Sequence, residues 1–176
     1  VNSTLYSYKN LHMPDLDQRR SALPNDGAMY CVPTAAMNLF IYAANHGFPD
    51  FGPSPGNWQN SFYIQASLWL VLMGDWMNTD PVDGTGGSGT RAGLDEMLES
   101  APYLKRVHKG RSSTFTPTAH KLANYAVSGW KMSFLYGKYQ QVGTQSGLPV
   151  LDRVGGHAVT LTRLYRNGDD WILRYR

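Results

Sequence analysis

The order of hydrophobic periods along the chain predicts an α+β fold. Helical spacing prevails as far as Val127, and strand-like alternation takes over from Met132 to the last residues. Helices first and strands last favour a helical layer packed on an antiparallel sheet, with a cleft between the two halves, over alternating β-α-β units. A length of 176 residues suits one compact domain over positions 1–176.

The elements follow in chain order. Thr4 to Tyr8 reads as an extended arm or short strand, and Asp15 to Arg20 as a charged approach to a polar loop that contains Gly27. Pro33 to Asn45 carries good helix formers, with proline tolerated in the first turn and Gly47 placed as a stop. The expected inward face of this helix, at 3.6-residue spacing, is Ala36, Leu39, Phe40 and Ala43. Phe48 to Asn57, rich in proline and glycine, is a loop that could wall a cleft, and Asn60 or Ser61 caps a second helix through Leu68, Trp69 and Leu72. Asp80 to Gly89 lacks the Lys-Ser/Thr ending of a phosphate loop and reads as a flexible linker, after which Thr90 starts a third helix through Leu94, Met97 and Leu98. Tyr103 to Lys109 is a short strand candidate. Thr116-Pro117 supplies a cap and a first-turn proline for a helix reaching Val127, which Gly129 ends. Met132 to Tyr136, Ala158 to Tyr165 and Trp171 to Tyr175 alternate as strands, and Asn167-Gly168 forms a hairpin turn between the last two.

Composition excludes several classes of function. The longest apolar stretch, Ile64 to Met73, is too short and too polar to cross a bilayer, so no membrane span is expected. The net charge of +3 comes from scattered residues and two modest basic groups, Lys105 to Arg111 and Arg163 to Arg176. Neither interleaves with aromatics as a single-strand platform would, which argues against a nucleic-acid partner. His12, His46, His108 and His120 lie on unrelated segments and no Cys/His/Asp spacing makes a metal site, so neither metal nor cofactor is expected. Trp58, Trp69 and Trp76 could line a substrate groove, but core packing is the favoured reading. The chain opens at Val1 rather than methionine, as a processed protein or an excised fragment would. Abundant Trp, Tyr, Asn and Gly with few Lys lean toward an exported bacterial protein, secreted or periplasmic, acting as a monomer.

Cys31 is the only cysteine, and it stands where the polar loop runs into the first helix. A thiol at the first turn of a helix feels the partial positive charge of unpaired N–H groups, which favours the reactive thiolate. Near the other end, Gly155-Gly156-His157-Ala158-Val159 reads as a strand that begins at a Gly-Gly turn with a histidine at its start. A nucleophilic cysteine needs such a base, which can be remote in sequence if folding brings the side chains together. The bland alternative is an inert core cysteine, since cysteine is among the most buried residue types.

Tyr30-Cys31-Val32-Pro33-Thr34-Ala35-Ala36 resembles the nucleophile helix of papain-like cysteine peptidases, closest to the bacteriocin-processing (double-glycine-leader) branch. Gly155-Gly156-His157-Ala158-Val159 resembles that branch's Gly-His-hydrophobic strand, and the Gly84 to Leu98 and Lys131 to Tyr136 segments follow its order. The resemblance implies a papain-like α+β fold and hydrolysis of a peptide or amide bond in a peptide or protein substrate, without a cofactor. It implies Cys31 as nucleophile, His157 as base, and a side-chain amide ahead of the cysteine that holds the oxyanion with the Cys31 N–H; the matching position is Asn25. The third residue, which orients the histidine, is not found. Pairing outward from an Asn167-Gly168 turn sets the neighbour of His157 past Arg176, and Asp169 and Asp170 sit at the far end of that hairpin. Two rivals remain open: acyl transfer of transglutaminase type by the same Cys-His pair, and a pseudo-peptidase that keeps the cleft as a binding module.

Overall fold

A computed structural model describes residues 7–52, 61–99 and 118–176. The fold is α+β. Strand β1 (Ser7–Lys9) precedes helices α1 (Cys31–Ala44), α2 (Ser61–Trp76), α3 (Gly87–Glu99) and α4 (Ala119–Val127), and strands β2 (Ser133–Gln145), β3 (Leu148–Asn167) and β4 (Asp170–Tyr175) follow. All four strands form one antiparallel sheet in which β3 pairs with each of the others. Among the described residues no helix is long and apolar enough to cross a membrane.

Helix α1 is the centre of the main core. Val32, Ala35, Ala36, Met37, Phe40, Ile41 and Ala44 are all buried. The expected single inward face is therefore too narrow: Leu39 and Ala43 are only half-buried, while Met37 and Ile41 are fully enclosed. The reason is that α1 is packed on more than one side. Leu70 and Met73 of α2, Met77 just beyond it and Met97 of α3 join its core cluster, and so does Ala158 of β3. Close approach of α3 requires glycine, because a Cβ at Gly93 would stand 2.3 Å from Met77 Cγ. The Gly-rich run before α3 is ordered into its first turn: the Thr90 N–H and hydroxyl both donate to the Gly86 carbonyl, at 2.9 Å each, and the helix starts at Gly87 rather than Thr90.

Helix α4 covers a second cluster, in which Ala123 meets Leu161 and Leu164. Its cap is Thr118, whose hydroxyl accepts from Lys121 N at 3.4 Å, so the helix begins later than Thr116-Pro117 predicts. That dipeptide, the strand candidate Tyr103 to Lys109, the basic group Lys105 to Arg111, Trp58, Asn60 and the second half of the Phe48 to Asn57 loop lie outside the described residues. Leu161 and Leu164 reach the same cluster although an even spacing would be needed in a regular strand. A bulge between Leu161 and Arg163 inserts the extra residue that restores the face.

The strands differ most from expectation. Gly155-Gly156 is not a turn, and His157 does not open a strand: β3 runs for 20 residues, with His157 inside it. The turn lies at Ser146-Gly147, with φ values of 52° and 79°, as a two-residue type I′ hairpin requires. Beyond the body of the sheet, 138–155 is an exposed two-stranded ribbon, which has no buried face and so no period-2 hydrophobic signal. The β3–β4 turn is Gly168-Asp169 rather than Asn167-Gly168, since Asn167 pairs with Asp170 and Gly168, at φ 62°, takes the first central position.

One buried hydrogen bond ties the two layers together: Thr160 Oγ1 donates to the Ala35 carbonyl at 3.0 Å. Thr160→Val keeps the shape and removes the bond. Because the Ala35 carbonyl retains its helical acceptor role, urea unfolding is expected to show a loss of about 1 kcal/mol; an unchanged midpoint would mean that the bond contributes nothing to the docking.

Candidate active site

Cys31 is the first residue of α1, and its helix cap, Tyr30, has no side-chain bond to the first turn. First-turn N–H groups have no partner inside a helix, and among the described residues none is recorded for the Cys31 N–H. The thiol is partly exposed beside these unpaired dipoles.

The loop that delivers Cys31 is sharply curled. Asn25 and Asp26 both have φ 49° and Gly27 has φ 72°, and a Cβ at Gly27 would stand 1.8 Å from the Gln18 carbonyl oxygen. Asn and Asp tolerate this left-handed backbone better than other side chains, and Gly27 is the one position where only glycine fits. Gln18 holds the curl from outside: its Nε2 donates to the carbonyls of Gly27 and Ala28, at 3.1 Å each.

A cavity of about 380 Å³ lies at the junction of the Asp15 to Gln18 segment, α1 and β3. One wall is a helical stripe, Cys31, Thr34, Ala35 and Asn38, at the i, i+3, i+4, i+7 spacing of a single α1 face. Asp15 to Gln18 form a second wall, fastened where buried Asn38 Oδ1 accepts from Leu16 N at 3.0 Å. His157 and Ala158 of β3 form the third, and Arg176 reaches the cavity while ion-paired to Asp15. Cys31 and His157, remote in sequence, thus line one cavity.

His157 pairs across the sheet with Tyr136, their ring centroids 5.8 Å apart at 82°. Burial lowers its pKa below the ordinary value of 6.5, and repulsion from Lys138 adds to the effect. The neutral imidazole, which can accept a proton, is favoured near neutral pH. Among the described residues no hydrogen bond to the ring is recorded. Strand β4 does not come beside it: the last β3–β4 contacts are Leu161 with Tyr175 and the mutual bonds of Thr160 and Arg176. Asp169 is ion-paired to Arg166 at 3.0 Å and Asp170 pairs with Asn167, both at the far end of that hairpin.

Asn25 is not brought to this cavity. It is exposed, and its Nδ2 donates to the Pro81 carbonyl at 3.1 Å, tying the loop to the segment after α2. The amide ahead of the cysteine that does line the cavity is Gln18. Sequence reasoning missed it because the curled loop brings a more distant residue back to Cys31; the available signal was an amide in the charged approach Asp15 to Arg20. Among the other histidines, His46 bonds and stacks on Tyr42, and His120 meets the edge of Trp171. No group of three or more His, Cys, Asp or Glu that could hold a metal ion occurs among the described residues.

The lowered pKa of His157 has a definite pH consequence. Just below 6.5 the unfolded chain binds more protons at this position than the folded one, so its contribution to stability is complete above 6.5 and is lost as pH falls toward the folded-state value. An NMR titration of the His157 ring is expected to give a midpoint below 6.5, and Lys138→Gln is expected to raise it. A midpoint at or above 6.5 in the native chain would contradict the desolvated environment.

Comparison with protein-family models, with curated proteins and with solved structures finds no match.

Proposed function

We propose that the protein is a papain-like thiol hydrolase that cleaves a peptide or amide bond in a peptide or protein substrate. The observation that carries this reading is the single cavity lined by both Cys31 and His157. His157 takes the proton of the Cys31 thiol, and the thiolate attacks the substrate carbonyl carbon to form a tetrahedral oxyanion. Burial disfavours the imidazolium, but a thiolate beside it offsets that cost, so the two charges form together. The unpaired Cys31 N–H faces the developing oxyanion as one donor. Gln18 is better placed than Asn25 for the second, since it lines the cavity while the Asn25 amide is taken by Pro81. Such donation requires Gln18 to release one of its two loop carbonyls. The imidazolium then protonates the leaving amine as the C–N bond breaks, leaving a thioester. Water, deprotonated by His157, displaces the sulfur and restores the thiol.

A binding module with the same cleft is the second reading. It is favoured by the lack of a recorded hydrogen bond holding the His157 ring among the described residues. Alkylation of Cys31 by iodoacetamide across pH 4 to 9 separates the two. For a catalytic pair, the native chain reacts as a thiolate well below the free-thiol value of ~8.5, and His157→Ala moves the profile back toward that value. Superimposable ordinary thiol profiles in both proteins would overturn the hydrolase reading.

A further inference from the structure

A base that must pass a proton twice in each turnover needs a fixed ring plane, and a hydrogen bond from a carboxylate or amide is one way to provide it. For His157 no such bond is recorded among the described residues. The group that does meet the ring is Tyr136, its direct cross-strand neighbour, at 5.8 Å between centroids and 82° between planes. This edge-to-face arrangement is a favoured aromatic geometry, and it is directional: rotating the imidazole out of plane loses it.

Tyr136 is itself held by rings from two strands. Phe134 lies 6.1 Å from it along β2, Tyr175 of β4 lies 6.4 Å away, and Phe134 and Tyr175 close the triangle at 5.7 Å and 85°. Burial raises the Tyr136 pKa, the Tyr175 phenol adds to the shift, and the charge of Cys31 adds a further part. The aromatic cluster therefore extends from the imidazole across β2 and β4. Lys138 on β2, the Tyr175 phenol on β4, Cys31 on α1, and Asp15, Asp17 and Arg176 on the cavity walls are the titratable and charged groups on the elements around His157.

We propose that Tyr136 is a positioning residue that fixes the plane of the His157 imidazole by edge-to-face contact, in place of a hydrogen-bonding side chain. The inference rests on the hydrolase reading of the Cys31–His157 cavity. The ring matters and the hydroxyl does not. Tyr136→Phe is expected to keep the iodoacetamide rate of Cys31 at pH 7 within about twofold of the native chain, whereas Tyr136→Leu lowers it about tenfold, as loss of alignment at a reacting pair does. In Tyr136→Leu the NMR titration midpoint of His157 also rises toward 6.5, because the ring that shields it from water is gone. A purely structural role would lower the melting temperature of the leucine variant and leave both readouts unchanged.

If Tyr136→Leu does not fold, the native chain and Tyr136→Phe still decide the matter. The carbon-bound protons of the His157 ring should then show the ring-current shift of a fixed aromatic neighbour in both proteins, and its absence overturns the proposal. A native rate and midpoint in a folded Tyr136→Leu overturn it equally. The two readings fail separately: if His157→Ala slows alkylation and Tyr136→Leu does not, only the positioning role is lost, whereas a His157→Ala profile unchanged from the native chain removes the catalytic pair itself.

Discussion

The docking of α1 on β3 is the constraint on which the site depends. Ala35 and Ala158 are small enough to let helix and strand approach, and the Thr160 hydroxyl finds the Ala35 carbonyl at that short separation. A larger residue at either alanine would push the layers apart, because a close-packed interior has little room to absorb added volume. Ala35 lies one helical turn from Cys31, and Thr160 lies three positions after His157 on β3. The contact that joins the layers is thus also the one that sets the distance between thiol and imidazole.

A second device sets the direction of approach. A run of left-handed residues, Asn25, Asp26 and Gly27, turns the chain so that it enters α1 from the side of Gln18. Such backbone is costly for most side chains, and the two carbonyl bonds from Gln18 offset that cost. Asn38 fastens the segment that carries Gln18 to α1, by accepting from Leu16 N. The amides near the cavity are therefore occupied in shaping it, and Asn25, outside it, braces the loop against Pro81. The polar lining reflects this: the charges of Asp15 and Arg176 are mutually paired.

Helices were the more legible part of the fold. Pro33 early in a helix-forming run, Gly47 beyond it and the Leu68, Trp69, Leu72 spacing are local signals, and α1 and α2 lie where they point. Strand length was not legible. The ribbon formed by 138–155 has no buried face, so it lacks the alternation from which a strand is read, and its Ser146-Gly147 turn lacks the Asn-Gly or Asp-Gly pair that marks a hairpin. The one-residue error at the last turn has a similar origin: Asn-Gly and Gly-Asp both satisfy hairpin geometry, and only the pairing of Asn167 with Asp170 chooses between them.

By itself the sequence determined the order of helices before strands, the start of a helix at the lone cysteine, and the presence of a histidine in a late strand. These follow from short-range periodicity, caps and residue type, which act within a few positions. The tertiary structure decided which side chains share the cavity. It placed Cys31, His157 and Gln18 there, left Asn25 outside, and set Tyr136 against the imidazole. Those choices depend on strand register and on the left-handed curl of one loop. A one-residue slip of register moves a side chain to the other face of a sheet, and no local pattern in this chain records that choice.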